Sequence, residues 1–155
     1  MATTRCLAFL LCDRASRGED GKVNLHGIFD QIVAPRTSQR EPIRVGRERG
    51  KPIFFVFYKV VVGEPCKLEL RVFDPLGDQV PGPWSDEIRD VGVMQTVWAL
   101  AAHQFKQPGR YTLELREVFP DSTEVALATT ELVVVQPPAN GGERSPEAGA
   151  VRYAP

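Results

Sequence analysis

The chain has 155 residues, 43% hydrophobic and 25% charged. That is enough apolar material for one domain with its own core, and it argues against both global disorder and a membrane protein. Its 19 lysines and arginines against 20 aspartates and glutamates leave a formal charge of -1, which excludes a strong global field for holding nucleic acid or an anionic membrane.

The first apolar run, CLAFLLC from Cys6 to Cys12, reads as a buried strand. A signal peptide is the weaker reading: the run is short, only Arg5 precedes it, and Leu11 stands where a cleavage site takes a small residue. On one extended strand Cys6 and Cys12 lie roughly 20 Å apart, whereas a disulfide needs Cα atoms within about 7 Å. Cys66 is the third cysteine and no C-x-x-C occurs, so a reducing, cytoplasmic setting fits better than a disulfide framework or a zinc site.

Residues 13 to 30, DRASRGEDGKVNLHGIFD, combine Asp13, Glu19, Asp20 and Asp30 with glycines. An EF-hand needs alternating oxygen ligands, but arginines and an alanine occupy those places here. Glu19-Asp20-Gly21-Lys22 instead contains the Asp-Gly pair of a tight hairpin turn. The second strand is then VNLHGIFDQIVA (23 to 34), interrupted at Gly27 as at a bulge or a close backbone approach.

Residues 36 to 51, RTSQREPIRVGRERGK, hold Arg36, Arg40, Arg44, Arg47, Arg49 and Lys51 against Glu41 and Glu48. Six cations minus two anions leave a local excess of four positive charges in a nearly neutral chain. These six are the candidate partner-binding residues, because the guanidinium fork suits carboxylates and phosphates. The alternative is a long solvated connection.

PIFFVFYKVVV (52 to 62) is apolar on both faces and suits a central strand covered on both sides. CKLELRVFD (66 to 74) alternates, and Asp74-Pro75-Leu76-Gly77-Asp78 closes it with a turn. Residues 81 to 90 read as irregular, with Trp84 tucked beneath. VGVMQTVWALAAHQF (91 to 105) tolerates either helix or strand, and its valines and threonine favour strand.

Lys106-Gln107-Pro108-Gly109 turns into RYTLELREV (110 to 118), and a hairpin through Pro120-Asp121-Ser122 leads to EVALATTELVVV (124 to 135). The last strand is a plausible sheet edge, open to a partner strand or to a second copy. Seven strands at short spacing indicate an all-β, immunoglobulin-like antiparallel β-sandwich of about seven to eight strands. Trp98, Phe55, Phe57, Leu68, Leu70, Tyr111 and Leu113 are expected to be mostly buried. The domain spans 1 to 136, and the polar tail 137 to 155 has too few apolar residues to order itself.

LCDRA, GKVNLHGIFD, VFDPLGD and PGRYTLEL together resemble a bacterial family of small proteins classed as a domain of unknown function. The resemblance covers most of residues 6 to 135 and rests on Asp13, Gly21, Gly27, Phe29, Asp30, Asp74, Pro75, Gly77, Pro108, Gly109 and Tyr111. It implies a β-sandwich and a bacterial origin, with no assigned activity. The Pro-Gly-x-Tyr run also resembles the strand entry of immunoglobulin-like sandwiches, where a tyrosine bridges a corner.

No nucleophile elbow, Walker sequence or dinucleotide fingerprint occurs, and the histidines, His26 and His103, both sit in predicted strands. The expectation is a noncatalytic protein-interaction or assembly module without a cofactor. Two alternatives remain. One is a ligand-binding sandwich taking calcium, carbohydrate or anionic lipid through end loops, with Asp13, Asp20, Asp74 and Asp78 as calcium ligands. The other is a nucleic-acid binder using residues 36 to 51, although that stretch lacks interleaved aromatics.

Overall fold

The computed structural model describes residues 4–33, 47–48, 51–101 and 104–135. Most of the arginine-rich stretch, His103 and the tail expected at 137 to 155 lie outside the described residues. Strand-forming sequence dominates: β1 (Thr4–Arg17), β2 (Val23–Ile28), β3 (Gln31–Val33), β4 (Arg47–Glu48), β5 (Lys51–Val62), β6 (Cys66–Phe73), β7 (Gln79–Val80), β8 (Ser85–Ile88), β9 (Gly92–Ala101), β10 (Gly109–Val118) and β11 (Glu124–Val135). The seven longest, β1, β2, β5, β6, β9, β10 and β11, are the seven strands expected from the sequence.

They form two sheets. The first runs β2-β1-β5-β9, with β4 beside the start of β5; the second runs β3-β11-β10-β6, with β7 and β8 both on β6. Among the described residues every pairing is antiparallel except that of β3 with β11, so the immunoglobulin-like sandwich has one antiparallel and one mixed sheet.

The expected second strand is in fact two, one in each sheet. Gly27 takes a φ of +64°, a conformation that favours glycine. A Cβ there would lie 2.3 Å from an Asp13 carboxylate oxygen. Past this kink the Phe29 N–H still donates to the Leu11 carbonyl at 3.1 Å, while the Asp30 carbonyl accepts from Val133 N–H at 2.7 Å. Phe29 plugs the crossing and is buried against Phe54. The alternation of apolar residues does not mark such a crossing, because both halves carry strand-forming side chains.

In β5, Phe54, Val56, Tyr58, Val60 and Val62 face the core and are at most 1% exposed. Leu68, Leu70 and Val72 meet them from β6, and Tyr111, Leu113 and Leu115 from β10. Burying such side chains is worth about 1.5–3 kcal/mol each. Phe55, expected to be mostly buried, has intermediate exposure and stands on the opposite side of β5 from the core. Phe57 and Cys12 are buried but stand outside the core cluster.

The reason lies in the β1–β2 hairpin. After Cys12, β1 leaves β5 and, among the described residues, pairs only with β2. A cleft of about 100 Å³ lined by Ala15, Ser16, Arg17, Val23, Thr96 and Val97 brings the far end of this hairpin beside β9. Because β5 separates β1 from β9 and the second sheet fills the core side, the hairpin must turn back over the outer side of β5. β5 is thereby covered on both faces over part of its length, as its composition suggested.

The segment expected to be irregular, 81 to 90, contains β8, and Trp84 is buried as expected. Residues 92–101 form a strand, ending before Gln104.

Candidate functional site

The expected site residues fall only partly within view. Arg36, Arg40, Arg44 and Arg49 lie outside the described residues. Arg47 stands opposite Pro52, and Glu48 opposite Lys51, in the short β4–β5 pairing. Two of the six cationic residues therefore lie on neighbouring strands at the rim of the first sheet.

The acidic residues serve their own turns. At the hairpin tip, Asp20 Oδ1 accepts from Lys22 N–H at 3.1 Å, while Gly18 N–H donates to the Lys22 carbonyl at 2.8 Å. Asp74 Oδ1 accepts from the N–H groups of Leu76 and Asp78 at 2.8 and 2.9 Å. These are side-chain-closed turns of the kind that aspartate favours. Among the described residues no group of three or more His, Cys, Asp or Glu gathers as a metal site. His26 is exposed on β2.

The three cysteines are free. Burial raises the thiol pKa of all three, that of Cys12 to about 11 with Asp13 adding to the shift. They are protonated at neutral pH and so poor nucleophiles. Between the sheets the Thr4 hydroxyl donates to Glu117 Oε1 at 2.7 Å. Tyr58 donates to Asp86 Oδ2 at 2.7 Å, and burial first, then this carboxylate, holds its hydroxyl well above the usual phenol range.

The outer face of the second sheet carries a charge ladder. Glu114 binds Arg116 at 2.6 Å, Arg116 reaches Glu124 at 3.1 Å, Arg71 joins Glu124 to Glu69, and Lys67 closes on Glu69. Three cations meet three carboxylates, so the ladder leaves no surplus charge for an anion or a cation. A shallow cleft of about 260 Å³ beside it is lined by Glu69, Arg71, Gln79, Trp84 and Ser85, among others. Both of its ions are already paired in the ladder.

The rims of the sheets differ more sharply than their faces. In the second sheet one rim is β3, of three residues, lying beside β11 at Val133–Val135. The other rim is β7 and β8, of two and four residues. The last strand, β11, is thus an edge only along its first part, where it also carries Glu124 and Glu131. In the first sheet β2 has six residues and the Gly27 kink.

The remaining rim is β9, GVMQTVWALA, ten residues with neither a charge nor a proline. Among the described residues it pairs only with β5. Short edges, charges, prolines and kinks are the usual protections against strand addition. β9 has neither charge nor proline, is ten residues long, and its positive-φ glycine, Gly92 at +127°, stands at its first residue rather than within it.

Two bonds fix which β9 residues point their main chain outward. The Trp84 indole N–H donates to the Ala99 carbonyl at 3.0 Å. On the far side of the sheet, the Leu11 carbonyl bonds Phe29 rather than β5. Direction alternates along an antiparallel ladder, so Val93, Gln95 and Val97 share the outward direction of Ala99. Their side chains also share the outer face of the sheet, where Val93 is 61% exposed and the preceding Val91 is 64% exposed. Sequence reasoning missed this rim because strand order is not written in one strand's composition. The lack of charge over 91 to 101 was the available signal.

The model of a family of unknown function, DUF6941, matches residues 7–117. No curated protein sequence matches the chain. The chain is similar in fold to the crystal structure of the C-terminal domain of Wzt, with a TM-score of 0.51 and 10% identity over 92% of this chain and 79% of that one. A fainter likeness, TM-score 0.38 and 15% identity over 70% of this chain and 87% of that one, is to the CARDB domain of a Pyrococcus furiosus protein solved in complex with di-metal ions. No helix among the described residues is long and apolar enough to cross a membrane.

Proposed function

We propose that this chain, which belongs to the family of unknown function DUF6941, is a noncatalytic protein-interaction or assembly module of a bacterial cytosolic system. The observation that supports this reading is the bare rim of β9: ten uncharged residues paired on one side only among the described residues, with Val93 within it and Val91 just before it both exposed. Such a rim binds by strand addition, in which main-chain hydrogen bonds supply affinity and alternate side chains supply selectivity. The arginine-rich stretch, Arg36, Arg40, Arg44, Arg47, Arg49 and Lys51, acts in this reading as an accessory contact for an acidic protein surface.

The test is gentle capture of the tagged chain, expressed near its native level, beside two variants. Val93→Lys places a charge on the rim; the second variant neutralises Arg36, Arg40 and Arg44. A stoichiometric protein, whether a different chain or an untagged copy of this one, should be retained by the wild type and lost with Val93→Lys. Capture of nothing by the wild type, or equal capture by Val93→Lys, contradicts the reading. A loss confined to the arginine variant would move the contact from β9 to the basic stretch.

A further inference from the structure

We infer that the strand which covers β9 is β9 of a second copy of this chain, paired antiparallel about a two-fold axis through Gln95. The inference rests on the strand-addition reading and adds the identity of the partner and the register.

The pattern on β9 is self-complementary. Of its outward-pointing residues, Ala99 is already engaged by the Trp84 indole, and the other three, Val93, Gln95 and Val97, are symmetric about Gln95. Antiparallel pairing centred there sets Val93 opposite Val97 of the partner copy and Gln95 opposite its own equivalent. Residues directly opposite share a face, so two apolar pairs flank one amide pair on the outer side. On the core side, Met94 falls opposite the other copy's Thr96.

The main chain agrees with that register. The three outward residues form hydrogen-bonded pairs, each exchanging two bonds, or about six bonds in all. The ladder stops where the Trp84 indole already occupies the Ala99 carbonyl. A two-fold contact brings each side chain near copies of its own set, which penalises a charged strand through like-charge pairs. β9 has no charge to repel. The first part of β11, the other long rim, carries Glu124 and Glu131. Both already sit in ion pairs, Glu124 with Arg71 and Arg116 and Glu131 with Arg110, so that edge is charged where β9 is not.

The test combines mass and register. Light scattering on the purified full chain across a dilution series should give two chains per particle at high concentration. Val93→Lys should weaken the dimer at least tenfold with an unchanged circular dichroism spectrum and, at dilutions where the wild type is monomeric, an unchanged melting point, since Val93 is largely exposed. For register, Gln95→Cys should form an interchain disulfide on mild oxidation. Cα atoms in a hydrogen-bonded antiparallel pair are about 5.5 Å apart, within disulfide reach. Val93→Cys, which faces Val97 rather than itself, should not, and the wild type reports any background from Cys6, Cys12 and Cys66.

A wild type that is monomeric at every concentration overturns the inference. So does a dimer indifferent to Val93→Lys, or one that cross-links equally through both cysteine variants. A monomer that still captures a different protein through β9 overturns only the second copy and leaves strand addition standing. If no partner depends on β9, both fall.

Discussion

At Gly109 two turns that are far apart in sequence lock together. Its φ is +134°, and a Cβ there would stand 2.7 Å from Cγ of Pro75. Two residues on, Tyr111 is buried against Phe105, and its hydroxyl oxygen accepts the Gln107 N–H at 3.1 Å. That is the corner expected from the Pro-Gly-x-Tyr run. Gly109→Ala should cost roughly 1–3 kcal/mol in urea unfolding, from a strained φ plus a stiff proline ring. Gly77→Ala, at φ +89° but with nothing within 4 Å of its added Cβ, should cost less. Equal losses would show that the Pro75 contact carries no weight. The sequence displayed both turn motifs; only the fold shows that they touch, because their contact spans more than thirty residues of chain.

At the scale of elements, alternation located the strands well and the sheets poorly. Leu68, Leu70 and Val72 against Lys67, Glu69 and Arg71 in β6 were legible because one face is buried and the other wet. Phe57 is buried as expected, but the side that it and Phe55 occupy was not legible, because a strand apolar on both faces does not say which face meets the core. The switch at Phe29–Asp30 was hidden for the same reason: the expected long strand had no break except Gly27.

The charge ladder between β6, β10 and β11 also belongs to this scale. Hydrogen bonding from Lys67, then its charge and the Arg71 contact, hold the Glu69 carboxyl below its ordinary value, against some desolvation. A depressed carboxylate contributes stability above the unfolded pKa and loses it as pH falls through the folded one. Glu69→Gln should therefore be less stable than wild type at pH 7, with the gap closing below about pH 4. Urea midpoints at pH 7 and pH 3 measure this, and a gap that persists at pH 3 would show that the residue acts through packing.

On the scale of the whole molecule the two sheets present different surfaces. One face is a self-neutralised ionic ladder, while the other sheet ends in an apolar rim. The sandwich and its seven long strands followed from turn signals and alternation. The proposed interaction site followed only from strand order, since the rim of β9 has β5 on one side and no strand pairing among the described residues on the other. The arginine-rich stretch was conspicuous in composition, and within the described residues the backbone places Arg47 on β4 opposite Pro52 and Lys51 at the first position of β5.

The most direct measurement is amide hydrogen exchange along β9 as protein concentration rises. Met94, Thr96 and Trp98, whose amides point toward β5, should be slow throughout. Val93, Gln95 and Val97 should exchange quickly in dilute protein and at least tenfold more slowly when concentrated, as the rim becomes paired. Fast exchange at all three positions at every concentration, in the absence and presence of any captured partner, would contradict a β9 interaction site.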